Sequence, residues 1–189
     1  EALASGNTLL ADGGFEKSQE APLGKSPGEG QWYCTSPRCT VTGEAPRGGR
    51  FCAKVEAPPG GALGPTEFRA EFAPRPGMVY HASGWLKTAG VEAEPTGSTR
   101  LAYLAIYQFD GEERLVAFKH FTMTSGTVDW SQYTLDFAAD RRAVRIELRC
   151  GIYRAHGTAW FDDLQLVQVP SVQIGPLNTA TGTAGNMLG

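Results

Sequence analysis

The chain has 189 residues, 41% of them hydrophobic, enough to bury the core of one large domain. Charged residues make up 20% and the formal net charge is −3, which gives no basis for binding nucleic acid or an anionic membrane. No apolar run approaches the ~20 residues that a membrane-spanning helix needs.

Glycine (24) and proline (12) recur at short intervals, as in a chain of many short strands joined by turns. Residues 1–11 read as a lead-in, with Leu9 and Leu10 as the first apolar anchor. Asp12-Gly-Gly-Phe-Glu16 is a glycine turn with acidic ends, and 17–31 is a loop rich in Pro, Gly and Ser. Within that loop Gly24-Lys-Ser-Pro-Gly28 matches G-x-S-x-G by letters. It lacks the strand–turn–helix setting that exposes a nucleophile. Trp32-Tyr33 begins a short strand, and Cys34-Thr-Ser-Pro-Arg-Cys39 has the spacing of a tight surface loop. Arg50–Val55 alternates until Pro58-Pro59-Gly60-Gly61 stops it. Thr66–Phe72 places Phe68 and Phe72 beside Ala70 on one face.

Met78–Thr88 is a longer strand, and Arg100–Phe109 another. The latter is closed by Asp110-Gly111, a hairpin signal that pairs it with Leu115–Phe121. Ser131–Phe137 puts Tyr133, Leu135 and Phe137 on one face. Ala143–Cys150 sends Val144, Ile146 and Leu148 inward and Arg145, Glu147 and Arg149 outward. Only Ala138–Arg142 offers a helical turn. The last strand runs from about Ala159 to Val169 and contains adjacent aspartates, Asp162 and Asp163. An unpaired carboxylate in a half-buried strand is costly, so this pair needs a partner. With Asp12 and Glu16 at the other end, the acidic residues suggest a calcium ion tying the ends of the domain together. The alternative is that Asp162 and Asp163 pair with Arg50 or cap backbone amides. Nine or ten alternating strands with almost no helix predict an all-β, two-sheet antiparallel sandwich of jelly-roll type. Residues 170–189 are small, polar and aperiodic, a linker or tail beyond a 1–169 domain.

Cys34, Cys39, Cys52 and Cys150 form an even set without a CxxC pair, which favours disulfides over zinc and leaves three pairings open. Buried free thiols are the alternative. Bridged cysteines would place the protein outside the cytosol. A start at Glu1, without methionine or signal peptide, reads as a mature or excised fragment.

The order of these signals resembles the jelly-roll carbohydrate-binding modules of the group that includes families 4, 9, 16 and 22. The carriers are Asn7–Glu16, Trp32, Arg50–Val55, Tyr80-His-Ala-Ser-Gly-Trp-Leu-Lys87, Trp130–Phe137, Ala143–Leu148 and Gly157–Leu166, spanning roughly 7–169. The Cys34–Cys39 insertion and the C-terminal tail depart from that pattern. The resemblance implies a structural calcium held by Glu16 and Asp163, with Asp162 or Asp12 as helpers. It also implies a secreted or cell-surface, non-catalytic module that binds a polysaccharide or oligosaccharide beside a covalently linked catalytic domain.

Sugar binding needs flat aromatic faces and planar hydrogen-bonding groups on a rigid sheet face. On 78–88, alternation separates Tyr80, Ala82, Gly84 and Leu86 from His81, Ser83, Trp85 and Lys87. On 100–109, Ala102, Leu104 and Ile106 fit the core, so Tyr103, Tyr107 and Phe109 point out. If these strands share a sheet with 143–150, its open face carries Trp85, Tyr103, Tyr107, His81, Gln108, Arg145, Glu147 and Arg149. Trp32, Trp130 and Trp160 read as core or rim, and His120 and His156 as ordinary surface residues. Two other readings remain: an adhesion or structural module without an exposed aromatic row, and a small glycanase or lyase pairing Glu147 with Asp136 or Glu71.

Overall fold

The computed structural model describes residues 8–17, 20–60, 64–95 and 100–169. The run 170–189 assigned to a linker lies outside them, as do 1–7 and three short internal stretches. Among the described residues there are ten strands and no helix: β1 (Trp32–Cys34), β2 (Cys39–Thr42), β3 (Cys52–Ala57), β4 (Thr66–Phe72), β5 (Val79–Ala93), β6 (Leu101–Phe109), β7 (Leu115–Thr124), β8 (Gly126–Ala138), β9 (Arg145–Tyr153) and β10 (Ala155–Gln168).

They form two five-stranded antiparallel sheets, a jelly-roll sandwich. The first sheet has the order β1-β4-β9-β6-β7 and the second β2-β3-β10-β5-β8. Period-two alternation builds the interior. The first sheet contributes Phe68, Ala70, Phe72, Leu104, Ile106, Ile146 and Leu148; the second contributes Val55, Tyr80, Ala82, Leu86, Phe137, Ala159 and Phe161. Phe15 closes one end by stacking on Trp32 at 5.0 Å and meeting Phe68 edge-on at 5.6 Å.

The N-terminal segment is bound to the last strand. The Leu9 amide donates to the Leu166 carbonyl at 2.7 Å, and Leu164 donates to Gly13 at 2.9 Å. Only glycine fits at position 13, since a β-carbon there would lie 1.8 Å from the Leu164 carbonyl oxygen. Opposite it, β10 slips register against β5 between Asp162 and Gln165, with Asp163 at φ 48°. This bulge lets Asp162 point away from the core while Leu164 points in.

Several expectations are corrected. β2 was hidden in a four-residue run and begins at Cys39. Ala138 ends β8 and residues 139–142 make a turn instead of helix, with Asp140 accepting hydrogen bonds from Arg142. Val144 lies ahead of β9 and is 56% exposed. All four cysteines are buried free thiols. Cys34 and Cys150 are two strands apart, both in register with Phe68, a separation of about 9–10 Å that no disulfide spans. Cys39 and Cys52 lie on neighbouring strands but in register with Val55 and Thr42 respectively. Burial pushes the Cys39 thiol up to about 12 and Cys52 to about 11, so both stay protonated. The thiols therefore give no argument about compartment.

Candidate functional site

The outer face of the first sheet carries a grid of interlocked charges. Alternation on β4 turns Glu67, Arg69 and Glu71 outward, opposite the buried Phe68, Ala70 and Phe72. On β9 it turns out Arg145, Glu147 and Arg149. Register sets Glu71 across from Glu147 and Arg69 across from Arg149. Like charges directly opposite would be unfavourable, so the side chains reach to the next outward residue of their own strand and across the diagonals. Arg69 Nη2 lies 2.5 Å from Glu67 Oε1, and Arg149 Nε donates to Glu147 Oε2 at 2.6 Å. Arg149 also approaches Glu67 at 3.5 Å, while Arg145 approaches Glu147 at 3.4 Å and Glu71 at 3.8 Å. Glu67 is fully buried and Glu147 is 2% exposed. Burial pushes the Glu67 carboxyl up, against the pull of Arg149 and Arg69.

Tyrosines complete the grid. The Tyr33 hydroxyl donates to Glu71 Oε1 at 2.6 Å, and the Tyr103 hydroxyl donates to Glu67. Burial, then the Glu71 bond, holds the Tyr33 phenol well above its ordinary range. Tyr107 lies under the Arg149 guanidinium at 4.0 Å and stacks on Phe118 at 5.8 Å. His120 meets Tyr103, Tyr107 and Phe118 edge-on; burial and the neighbouring Arg100 charge lower its pKa.

Beside this grid opens a cleft of about 620 Å³. Its floor is Tyr33, Arg69, Glu71, Glu147, Arg149 and Arg145, with Phe109 at one side under Arg145 at 4.6 Å. Its walls are Lys25 and Ser26, from the Pro/Gly loop, and Glu113, from the β6–β7 turn. The size suits a ligand of a few sugar rings' bulk. The lining offers fixed donors and acceptors, with little bare aromatic surface.

Five residues named from sequence, Tyr103, Tyr107, Arg145, Glu147 and Arg149, share this face. The two tyrosines are not open platforms: Tyr103 is 1% exposed and Tyr107 3%. Gln108 points the other way, accepting from the Asp140 amide at 2.8 Å and donating to the Ala138 carbonyl at 3.1 Å. His81 and Trp85 belong to β5, which lies in the second sheet. There His81 Nδ1 is 2.6 Å from Asp136, and the Arg47 guanidinium covers Trp85 at 3.7 Å. Asp136 therefore cannot partner Glu147. Glu71 does stand opposite Glu147, but Tyr33 and three arginines tie that pair into the grid.

The acidic residues of the two chain ends do meet. A β-carbon on Gly14 would lie 3.7–3.9 Å from side-chain atoms of Asp163, Asp162 and Glu16. Asp12 instead caps its own turn, accepting the amides of Glu16 at 3.0 Å and Lys17 at 2.7 Å. Glu16 Oε1 accepts the amides of Arg50 and Phe51, at 2.7 and 3.0 Å. Asp162, fully buried, accepts the amides of Arg47, Gly48 and Asp163, and Asp163 pairs with Arg47 at 2.5 Å. Burial pushes the Asp162 carboxyl up, opposed by those amides. Among the described residues no three acidic, histidine or cysteine side chains enclose a point where an ion would sit. As placed, these carboxylates accept backbone amides and a guanidinium.

No protein-family model matches the chain, and no curated protein matches it. Solved structures do. The C-terminal family 22 carbohydrate-binding module of Clostridium thermocellum Xyn10B superposes with a TM-score of 0.57 at 16% identity, over 91% of this chain and 99% of that one. A family 16 carbohydrate-binding module gives 0.52 at 19% identity, over 84% and 99%. The fold is that of the jelly-roll carbohydrate-binding modules. The enzymatically active domain of tailspike protein 4 of bacteriophage CBA120 matches at 0.56 and 16% identity over 77% of this chain, which spans 21% of that one. The resemblance to families 16 and 22 read from the sequence therefore holds at the level of fold.

Within this module fold, sequence reasoning missed Lys25, Ser26, Tyr33, Glu67, Arg69 and Glu113 as cleft or grid residues, and named Glu71 only as an acidic partner of Glu147. For β4 the signal was present, because the face opposite Phe68 and Phe72 is Glu67, Arg69 and Glu71. For Lys25, Ser26 and Glu113 none was, since loop placement decides them.

Proposed function

We propose that the chain is a non-catalytic module that binds a polysaccharide or oligosaccharide in the cleft on the outer face of the first sheet. One observation carries this reading: a 620 Å³ cleft whose floor is a preorganised array of arginine, glutamate and tyrosine groups. Sugar hydroxyls donate and accept at once, and this array presents both functions at fixed spacing. The groups are held by one another, so little ordering cost falls on binding. The module folds named above support the same reading.

The setting we infer is a secreted or cell-surface carbohydrate-active protein, where the module holds a linked catalytic domain near its glycan by raising effective concentration. Glu71 and Glu147 are fixed by hydrogen bonds and ion pairs, which suits recognition better than proton transfer.

A second reading, an adhesion or structural sandwich without sugar binding, is favoured by the burial of Tyr103 and Tyr107, which removes the open aromatic row. Affinity electrophoresis through gels containing xylan, β-glucan, mannan, galactan or algal polysaccharide separates the two. Retardation by at least one glycan, lost in Arg145→Ala, supports the binding module; free migration in every gel supports the adhesion module.

A further inference from the structure

The loop at 44–50, the first acidic segment and the bulge of β10 meet over Trp85, away from the cleft. The cation standing among the carboxylates there is the side chain of Arg47. Its guanidinium lies 3.7 Å over the Trp85 ring, and Nη1 is 2.5 Å from Asp163 Oδ2. Its own backbone amide donates to Asp162 Oδ2 at 2.9 Å, with the Gly48 amide at 3.1 Å on the same oxygen. We infer that this clasp is closed by the guanidinium of Arg47 and takes up no divalent cation, and that Trp85 is the seat of that guanidinium rather than a sugar platform.

The donor pattern argues for it. Calcium binds about six to eight oxygens through their lone pairs. Here the Asp162 oxygens and Glu16 Oε1 already receive amide hydrogens from Arg47, Gly48, Asp163, Arg50 and Phe51. Each amide hydrogen takes up a carboxylate lone pair that a metal would otherwise use. The glycine at 49 makes this possible. It sits at φ 59°, and a β-carbon there would lie 2.1 Å from Glu16 Oε1, so the loop presses directly onto the carboxylate. Arginine suits the remaining position because one plane can stack on an indole and bond a carboxylate at its edge, which lysine cannot do.

The inference does not depend on the glycan reading, and thermal melting tests it. The chain is dialysed against EDTA and melted with and without calcium at about 1 mM, enough to load a weak extracellular-type site. The expected result is the same melting temperature in both. Arg47→Ala should lower it by roughly 3–6 °C, the scale for losing a cation–π contact and a half-exposed ion pair in a chain of this length. Arg47→Lys should recover only part of that loss. A calcium-dependent rise of several degrees in the unaltered chain overturns the inference, as does an Arg47→Ala variant melting with the parent. If Arg47→Ala fails to fold, the calcium comparison and Arg47→Lys still decide.

Discussion

The two outer faces of the sandwich use the same contact, an arginine plane over an aromatic ring, to different ends. On the first sheet Arg149 covers Tyr107 at 4.0 Å; on the second Arg47 covers Trp85 at 3.7 Å. Arg149 comes from a central strand whose register fixes every neighbour, and its carboxylate partners Glu67 and Glu147 are 0% and 2% exposed. Arg47 comes from a loop, and its pair with Asp163 is more than one-third open. Two other pairs of the second face have more open acids: Asp136 beside His81 is 72% exposed, and Asp129 beside Lys87 is 86% exposed. A grid built within strands is rigid and costly to disturb. Pairs hung on a sheet surface are screened and contribute little. A binding surface needs the former.

Substitutions should separate the faces by size of effect. Glu67→Ala takes from Arg69 its nearest carboxylate and from the Tyr103 hydroxyl its acceptor, leaving Glu147 as the one buried carboxylate for Arg69 and Arg149. It should cost about 3–5 kcal/mol in urea unfolding, the scale for breaking a buried ion pair; a loss below about 1 kcal/mol would show that the grid is not cohesive. Arg145→Ala removes a cleft donor that is 28% exposed. Retention on the preferred glycan should fall about tenfold or more, since a hydrogen bond to a charged group contributes about 1.5–3 kcal/mol. His120 should add a pH dependence. Its pKa is lowered in the folded chain, so the unfolded chain binds the proton more readily. Its contribution is fully present above pH 6.5 and is lost as pH falls from 6.5 through the folded value. His120→Gln should flatten stability measured across that window, and an unchanged slope would assign it to other groups. Lys87→Ala, on the open face, should leave both melting and glycan retention unchanged.

Much of the fold was legible because alternation is a local signal. The runs 66–72 and 143–150 declare their inner faces directly through Phe68, Ala70, Phe72, Ile146 and Leu148. Sheet membership is not local. Nothing in Tyr80–Lys87 says that β5 pairs with β10 and β8, so His81 and Trp85 were grouped with residues of the opposite sheet. Gln108 keeps to the face of Leu104 and Ile106, as alternation dictates, and grouping it with Tyr107 went against that pattern; its use, serving the turn at Ala138–Asp140, is a contact visible only in three dimensions. The cysteine count suggested bridges, yet spacing along the chain does not set the distance between strands. The meeting of the acidic ends was readable. What they meet was not, because Arg47 lies in a loop whose path the sequence leaves open.

The central claim is that ligand binding belongs to the first sheet's outer face. The most direct measurement compares Arg145→Ala and Trp85→Ala on whichever glycan retards the parent chain most. The account predicts that Arg145→Ala loses retardation while Trp85→Ala keeps it and melts at a lower temperature. Retention kept by Arg145→Ala and lost by Trp85→Ala would place binding on the other sheet and contradict it.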